Sequence, residues 1–136
     1  MEVWVYGSGY QFGKPLYVLF YRYKRRQGYF VKSFNKRCGK DVTTALGLKH
    51  ALDIIKPNGI IYLSNKKVYV GLIINAKSNF FKNLKKKAEE KGVRFSLVKE
   101  EDNKAKALWE KEIKYHSNIF SPRDIRILRK VRHYKK

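Results

Sequence analysis

Residues 16–34 have the sequence LYVLFYRYKRRQGYFVKSF, and this stretch has the pattern of two strands joined by a turn. On both sides of its basic centre the residues are rich in aromatic and β-branched types, which favour strands. The centre, KRRQG at residues 24–28, is short enough for a hairpin turn. Because alternate residues of a strand point to opposite faces, both faces of residues 16–23 are largely apolar. We therefore predict an antiparallel hairpin of residues 16–23 and 27–34, covered by helices on at least one face.

The segments around this hairpin predict an α/β protein with a mixed sheet. A strand at residues 3–6 precedes the hairpin and completes a three-stranded antiparallel meander. After Gly39 the hydrophobic period changes, and helices and strands then alternate along the chain. The helices are expected at residues 43–55, 78–91 and 103–115, and the strands at residues 60–63 and 93–98. An apolar stretch at residues 68–74 is left without an assigned secondary structure.

Local residue types mark the ends of the predicted helices. Thr43 or Thr44 is expected to cap the first helix, and Ser78 or Asn79 the second, because their side chains accept hydrogen bonds from free backbone N–H groups. Gly92 is expected to end the second helix.

A fourth, short helix is predicted near the carboxyl terminus. Ser121, Pro122 and Asp124 are the residue types that favour a helix start, with Ser as the cap and Pro at the first helical position. We therefore expect one domain at residues 1–116, followed by a basic helical extension at residues 117–136.

Short stretches of the chain resemble the ribonuclease H family. The sequence VYGS at residues 5–8 resembles the Asp-Gly-Ser that closes the family's first strand, and LGLKHAL at residues 46–52 resembles its first helix. IYLSN at residues 61–65 resembles the strand that ends in a catalytic Asp, and residues 98–110 resemble the last strand and helix. Three antiparallel strands followed by alternating helices and strands is also the family's order. The resemblance implies a ribonuclease H-like fold over residues 2–115.

The same resemblance bears on catalysis. The family's chemistry uses four carboxylates that hold two divalent metal ions, which activate a water for attack on a phosphodiester. Here the resemblance assigns those positions to Tyr6, Gly47, Asn65 or Lys66, and Ala107 or a neighbour. No acid stands at the named positions, and Mg²⁺ requires hard oxygen ligands. The resemblance therefore implies a catalytically degenerate member, and we expect no enzymatic activity, no metal or other cofactor and no small-molecule substrate.

The charge of the chain predicts a polyanionic partner. Its 136 residues include 32 Lys and Arg against 11 Asp and Glu, a formal net charge of +21. Such self-repulsion destabilises a compact protein unless RNA, DNA or an anionic membrane supplies counter-charge. No stretch approaches about 18 consecutive apolar residues, and no signal-peptide pattern opens the sequence. These features argue against a membrane partner and favour a cytoplasmic protein.

Cysteine and histidine are scarce. A single cysteine, Cys38, excludes an internal disulfide, and three scattered histidines exclude a zinc cluster of familiar spacing. We interpret Cys38 as an inert thiol near a loop. The abundance of Lys, Ile and Tyr, with few Gln, Met and Cys, is in keeping with a thermophilic source.

Basic residues fall in several segments that are candidates for contact with nucleic acid. Every charged residue from position 3 to position 40 is Lys or Arg, and tyrosines are interleaved with them. Basic side chains contact phosphates and exposed rings stack on bases, although the tyrosines could equally pack within the sheet. The predicted binding residues are Lys24, Arg25 and Arg26 in the hairpin turn, Lys36 and Arg37 after it, Lys82, Lys85 and Lys86 on the second helix, and Arg123, Arg126, Arg129, Lys130 and Arg132 in the tail. For the lysines of the second helix, a solvated face is an equal alternative.

Together these features predict a non-catalytic RNA-binding protein. Small size, high positive charge and an Arg-rich tail favour a ribosomal or ribosome-associated protein that binds ribosomal RNA beside neighbouring ribosomal proteins. The alternative is a DNA- or RNA/DNA-hybrid-binding protein with an inactivated nuclease fold. Both functions need the same phosphate contacts, so the sequence leaves both open.

Overall fold

A computed structural model of the protein describes residues 1–74 and 76–113. The predicted helical extension at residues 117–136 lies outside the described residues, as do the predicted domain boundary and the end of the helix expected at residues 103–115.

The described chain contains a five-stranded mixed sheet. Its strands are β1 (Glu2–Ser8), β2 (Leu16–Tyr23), β3 (Arg26–Ser33), β4 (Ile60–Leu63) and β5 (Arg94–Leu97). They lie in the order β3-β2-β1-β4-β5. The first three strands pair antiparallel, whereas β4 pairs parallel to β1 and β5 parallel to β4. The predicted meander is confirmed, and the carboxyl ends of β1 and β4 meet at the same edge of the sheet.

The hairpin between β2 and β3 is tighter than predicted. Pairing continues through Arg22 with Gln27 and Tyr23 with Arg26, which leaves Lys24 and Arg25 in the turn. Lys24 has a φ of 55°, the left-handed conformation that such short turns require. The expected five-residue turn was wrong because Arg26, Gln27 and Gly28 all belong to β3.

In residues 1–74 and 76–113, four α-helices accompany the sheet. They are α1 (Lys40–Ile54), α2 (Lys66–Ile73), α3 (Asn79–Lys91) and α4 (Lys104–Leu108), and a π-helical turn, Trp109–Ile113, continues α4. The apolar stretch without an assignment forms most of α2, where the Asn65 side chain accepts a hydrogen bond from the Val68 N–H (3.0 Å). Because α2 and α3 both lie between β4 and β5, the expected alternation of single helices and strands does not quite hold.

The predicted helix starts have different outcomes. Ser78 caps α3, where its hydroxyl accepts a hydrogen bond from the Phe81 N–H (3.1 Å), and Gly92 ends that helix with a left-handed φ of 68°. The cap predicted at Thr43 or Thr44 is wrong, since α1 begins at Lys40 and Gly39 precedes it as the cap. Both threonines are buried, and their hydroxyls donate to the Lys40 carbonyl. Such side-chain bonds within a helix replace the capping role.

Buried side chains pack on both faces of the sheet. One face packs on α1, α2 and α3 through Val3, Val5, Leu19, Leu48, Leu52, Leu63, Leu72 and Leu84. The other packs on α4 and the π-helical turn through Trp4, Leu16, Val18, Val31, Ala105, Trp109 and Ile113. Gly47 lets α1 approach the sheet closely, because a Cβ there would lie 2.9 Å from the Val5 Cγ1. Nearer its start, α1 contacts the carboxyl end of β1, because the Thr43 hydroxyl donates to the Ser8 carbonyl (3.4 Å).

Candidate nucleic-acid interface

A cavity of about 680 Å³ lies at the carboxyl ends of β1 and β4. The first turns of α1 and α2 and the region from α4 to the π-helical turn complete its wall. Its charged lining residues are Lys40, Lys66, Lys67 and Lys106 together with Asp41, Glu100 and Glu110. We call this region the strand-end cavity. Residues from distant parts of the sequence meet here because parallel strands end at one edge of a sheet.

Asn103 holds the elements around the strand-end cavity together. This residue is fully buried, and its Nδ2 donates to the Val5 carbonyl (2.9 Å) and to the Ser64 hydroxyl (3.0 Å). Its Oδ1 accepts a hydrogen bond from the Ala105 N–H (3.0 Å) and thereby caps α4. One amide therefore joins the ends of β1 and β4 to the start of α4.

The acids of the strand-end cavity are bonded to basic or amide side chains. The Asp41 Oδ1 accepts a hydrogen bond from the Asn65 Nδ2 at 2.8 Å, and its Oδ2 lies 3.6 Å from the Lys67 Nζ. The Lys106 Nζ lies 2.7 Å from a Glu110 oxygen and 3.4 Å from a Glu100 oxygen. The hydrogen bond to Glu110 raises the pKa of Lys106, which therefore stays positive.

Tyr6 brings a neutral hydroxyl to the cavity. Its ring packs on Trp109, with ring centroids 5.2 Å apart. Burial raises the pKa of the Tyr6 hydroxyl to about 12, although the nearby Lys106 opposes part of this rise. At neutral pH the hydroxyl is protonated, so it offers a hydrogen-bond donor and no anionic oxygen.

No protein-family model matches the sequence, and no curated protein matches it significantly. Solved structures do match the fold. One is the crystal structure of LC11-RNase H1 in complex with an RNA/DNA hybrid, with a TM-score of 0.57 and 10% identity over 76% of this chain and 88% of that chain. Another is RNase H1 from the halophilic archaeon Halobacterium salinarum NRC-1, with a TM-score of 0.55 and 12% identity over 76% of this chain and 89% of that chain.

The chain has a ribonuclease H-like fold. The fold that the short sequence resemblances predicted is confirmed. At identities of 10% and 12%, the structural similarity supports the fold and nothing beyond it. Within the described residues, no helix is both long and apolar enough to cross a membrane.

The catalytic chemistry of ribonucleases H uses two metal ions. The residues that line the strand-end cavity do not fit such ions. Tyr6, Asn65 and Lys66 line the cavity, whereas Gly47 packs against Val5 and offers no ligand. Ala107 is exposed and is absent from the lining, while its neighbour Lys106 is present. In residues 1–74 and 76–113, no three His, Cys, Asp or Glu side chains come close enough to share a metal ion. Lys40 and Lys66 also line the cavity without a carboxylate of the described residues at ion-pair distance, and their positive charge would repel a divalent cation.

The predicted basic residues around β3 lie at opposite ends of the sheet. Lys24, Arg25 and Arg26 are exposed at the turn between β2 and β3, away from the strand-end cavity. Lys36 and Arg37 follow β3 at the cavity end, where they line a second, shallow cavity of about 410 Å³. Since β2 spans eight residues, these two groups lie about 25 Å apart.

One of the tyrosines that are interleaved with basic residues in the sequence contacts an arginine at the shallow cavity. The Arg37 guanidinium lies 4.1 Å from the centroid of the Tyr10 ring, and Tyr10 is 40% exposed. Tyr17, Tyr21 and Tyr29 are buried in the sheet, so the packing alternative holds for them.

The lysines of α3 are divided in role. Lys82 and Lys86 are exposed, whereas Lys85 is half-buried and its Nζ donates to the Ile73 carbonyl at the end of α2 (3.4 Å). Lys85 therefore helps to join two helices.

The predicted binding residues of the tail, Arg123, Arg126, Arg129, Lys130 and Arg132, lie outside the described residues.

Sequence reasoning did not single out the lysines of the strand-end cavity as candidate binding residues. Lys40 begins α1, Lys66 and Lys67 begin α2 shortly after β4, and Lys106 lies in α4. The Lys66-Lys67 pair directly after the strand predicted at residues 60–63 was the available signal. Only the parallel pairing of β1 with β4 brings it beside Lys40.

Proposed function

We propose that the protein binds nucleic acid without cleaving it. The observation that carries the proposal is the lining of the strand-end cavity. Where the family resemblance assigns metal-binding carboxylates, this chain has Tyr6, Asn65 and Lys66, surrounded by further lysines. The carboxylates that are present, Asp41, Glu100 and Glu110, are engaged by Lys67, Lys106 and the amide of Asn65.

The electrostatics support binding in preference to catalysis. Ribonuclease H chemistry depends on metal ions that polarise the phosphodiester. An ammonium group attracts a phosphate oxygen, but it does not lower the pKa of a bound water in the way that a divalent metal does. A lysine-lined cavity therefore holds a phosphate and leaves the bond intact. The net charge of +21 supplies additional, sequence-independent attraction.

RNA, and ribosomal RNA in particular, is the partner that we propose, with neighbouring ribosomal proteins as further contacts. Small size, high charge and the Arg-rich carboxyl-terminal sequence support it. An RNA/DNA hybrid is the second candidate partner, because LC11-RNase H1 has a similar fold and was solved with such a hybrid.

Equilibrium binding to matched duplexes tests the proposed function. Fluorescence anisotropy would be measured with an RNA duplex, an RNA/DNA hybrid, a DNA duplex and a single-stranded RNA of one sequence, each at several salt concentrations. We expect binding whose logarithm falls linearly with the logarithm of salt concentration. Absence of binding to all three duplexes and to single-stranded RNA, even at low salt, would contradict the proposal.

A fractionation experiment separates the two candidate partners. If ribosomal RNA is the partner, the full chain should co-sediment with a ribosomal subunit through a sucrose gradient at high salt. If a hybrid is the partner, the chain should stay at the top of the gradient while preferring the hybrid in the anisotropy assay.

A further inference from the structure

We propose that Lys40 and Lys66 form a metal-independent binding site for one backbone phosphate in the strand-end cavity. This inference rests on the proposed function and names the group that the cavity recognises. Its starting point is the disagreement between a fold that implies metal ions and a lining that does not fit them. In this chain the ammonium groups supply the positive charge next to the phosphate.

The four lysines of the strand-end cavity differ in their partners. Lys67 lies within 3.6 Å of an Asp41 oxygen, and Lys106 is bonded to both Glu100 and Glu110. For Lys40 and Lys66, no carboxylate of the described residues lies within ion-pair distance. Two positive charges at the lining therefore have no counter-charge from the described part of the chain. An anion that enters the cavity would provide it.

The positions of Lys40 and Lys66 suit a shared ligand. Lys40 is the first residue of α1 and Lys66 is the first residue of α2, and both are exposed at the lining of the same cavity. Asn103 fixes the framework from below by joining β1, β4 and α4. The Asn65 side chain, which caps α2, also donates to the Asp41 carboxylate of α1 (2.8 Å), so the starts of the two helices are joined directly. The two ammonium groups lie on flexible four-carbon stems.

Tyr6 supplies a further polar contact. Tyr6 lines the same cavity and its hydroxyl is protonated at neutral pH, so it can donate a hydrogen bond to a phosphate oxygen. Two ammonium groups and one phenol hydroxyl would satisfy an anion that carries several acceptor oxygens. A phosphodiester within a continuous nucleic-acid backbone has this chemistry.

The salt dependence of binding tests the site with a matched control. The double variant Lys40→Gln/Lys66→Gln removes the proposed contacts, and Lys49→Gln/Lys56→Gln removes two other exposed lysines with the same change in net charge. Affinity for the RNA duplex would be measured in EDTA across a range of salt concentrations. We expect the first variant to flatten the slope by about 0.7 to 0.9, the value for one phosphate contact. The control variant should leave the slope unchanged.

The outcomes separate failure of the site from failure of the function. If the wild-type protein binds the duplex but both variants flatten the slope equally, or neither does, the phosphate site is wrong and the proposed function stands. A strict requirement for Mg²⁺ would overturn the site as well. If the wild-type protein binds no nucleic acid, the proposed function fails and the site is decided by a second probe.

That second probe is inorganic pyrophosphate, titrated in EDTA into the ¹⁵N-labelled protein and into both variants. We expect saturable shifts of the amide signals of Gly7, Lys40 and Lys66 in the wild-type protein and in the control variant, and their loss in Lys40→Gln/Lys66→Gln. Shifts that are absent, or that persist in that variant, would overturn the site. Thermal melts of all the proteins would establish that they are equally folded.

Discussion

The two ends of the sheet present positive charge in different ways. At the hairpin end, Lys24, Arg25 and Arg26 are consecutive and exposed, and none of them lies within ion-pair distance of a carboxylate of the described residues. At the cavity end, lysines from three helices are mixed with acids around a concave surface. A linear run of exposed positive charges attracts any polyanion, whereas positive charges that converge on a cavity can bind one particular chemical group, such as a phosphate. Charge density in the sequence therefore identifies the hairpin end, and only the fold identifies the cavity end.

The largest effect on stability is expected when Asn103, which joins β1, β4 and α4 at the cavity end, is replaced. Replacing Asn103 with Ala removes the cap of α4 and leaves the Val5 carbonyl buried without its donor. We expect the free energy of unfolding to fall by about 2 to 4 kcal/mol, from the loss of a cap and of a buried hydrogen bond. Urea denaturation would measure it.

The exposed Asn83 of α3 provides the control for this variant. The same Asn→Ala change there should alter the free energy of unfolding by less than about 0.5 kcal/mol. Equal effects at both positions would mean that Asn103 does not hold the strand-end cavity together.

The hairpin end is expected to contribute more to the salt dependence than the cavity end. The variant Arg25→Gln/Arg26→Gln should flatten the slope by about one to two units, because two exposed arginines contact separate phosphates. The loss should be similar for different RNA sequences, since phosphate contacts carry no sequence information. Salt titrations by anisotropy would measure both.

A combined variant carries Arg25→Gln/Arg26→Gln together with Lys40→Gln/Lys66→Gln. The two ends lie about 25 Å apart, and distant sites act independently, so their effects should add. An unchanged slope in the hairpin variant would move the main contact surface elsewhere, with Lys82 and Lys86 of α3 as the next candidates.

A smaller effect, of opposite sign, is expected at Asp41. The variant Asp41→Asn removes the carboxylate beside Lys67, which should free that lysine for a phosphate. We expect the salt slope to steepen by up to about 0.7 to 0.9 and the affinity for nucleic acid to rise.

Asp53 offers a matched control, because it pairs with Lys87 away from the strand-end cavity. Asp53→Asn gives the same change in net charge and should affect the slope less. If Asp53→Asn steepens the slope as much as Asp41→Asn, net charge and not the cavity governs binding.

The smallest effect concerns the pH dependence of stability at Tyr6. Burial raises the pKa of this hydroxyl from its ordinary value of 10 to about 12 in the folded protein. A raised pKa means that the folded state favours the protonated form, so this contribution to stability is complete below pH 10 and is lost as the pH rises towards 12. The wild-type protein should therefore lose stability more steeply than Tyr6→Phe in this range, as measured by urea denaturation. Parallel slopes for the two proteins would contradict the burial of this hydroxyl.

The sequence predicted those parts of the fold that local residue types determine. The strands of the meander, the Ser78 cap and the Gly92 stop each depend on residues within a few positions. The helix start predicted from Thr43 and Thr44 was wrong because both residues, although favoured as caps, are buried within α1. The start of α2 was missed because Asn65, its cap, was interpreted only as the end of a strand.

The candidate site was predicted in part for a different reason. The family resemblance selected Tyr6, Asn65 and Lys66, and these residues do line one cavity. Lys40 and Lys106 were not singled out, because their proximity results from strand pairing between segments far apart in sequence. A count of charges along the chain contains no information about such convergence.

We propose above all that the protein binds nucleic acid without cutting it. The most direct test incubates an end-labelled RNA/DNA hybrid with excess protein in Mg²⁺, in Mn²⁺ and in EDTA, and measures binding and strand integrity in the same samples. We expect similar binding at matched ionic strength in all three and intact strands throughout. Metal-dependent cleavage that survives repurification and disappears in Asp41→Asn or Glu110→Gln would contradict the claim.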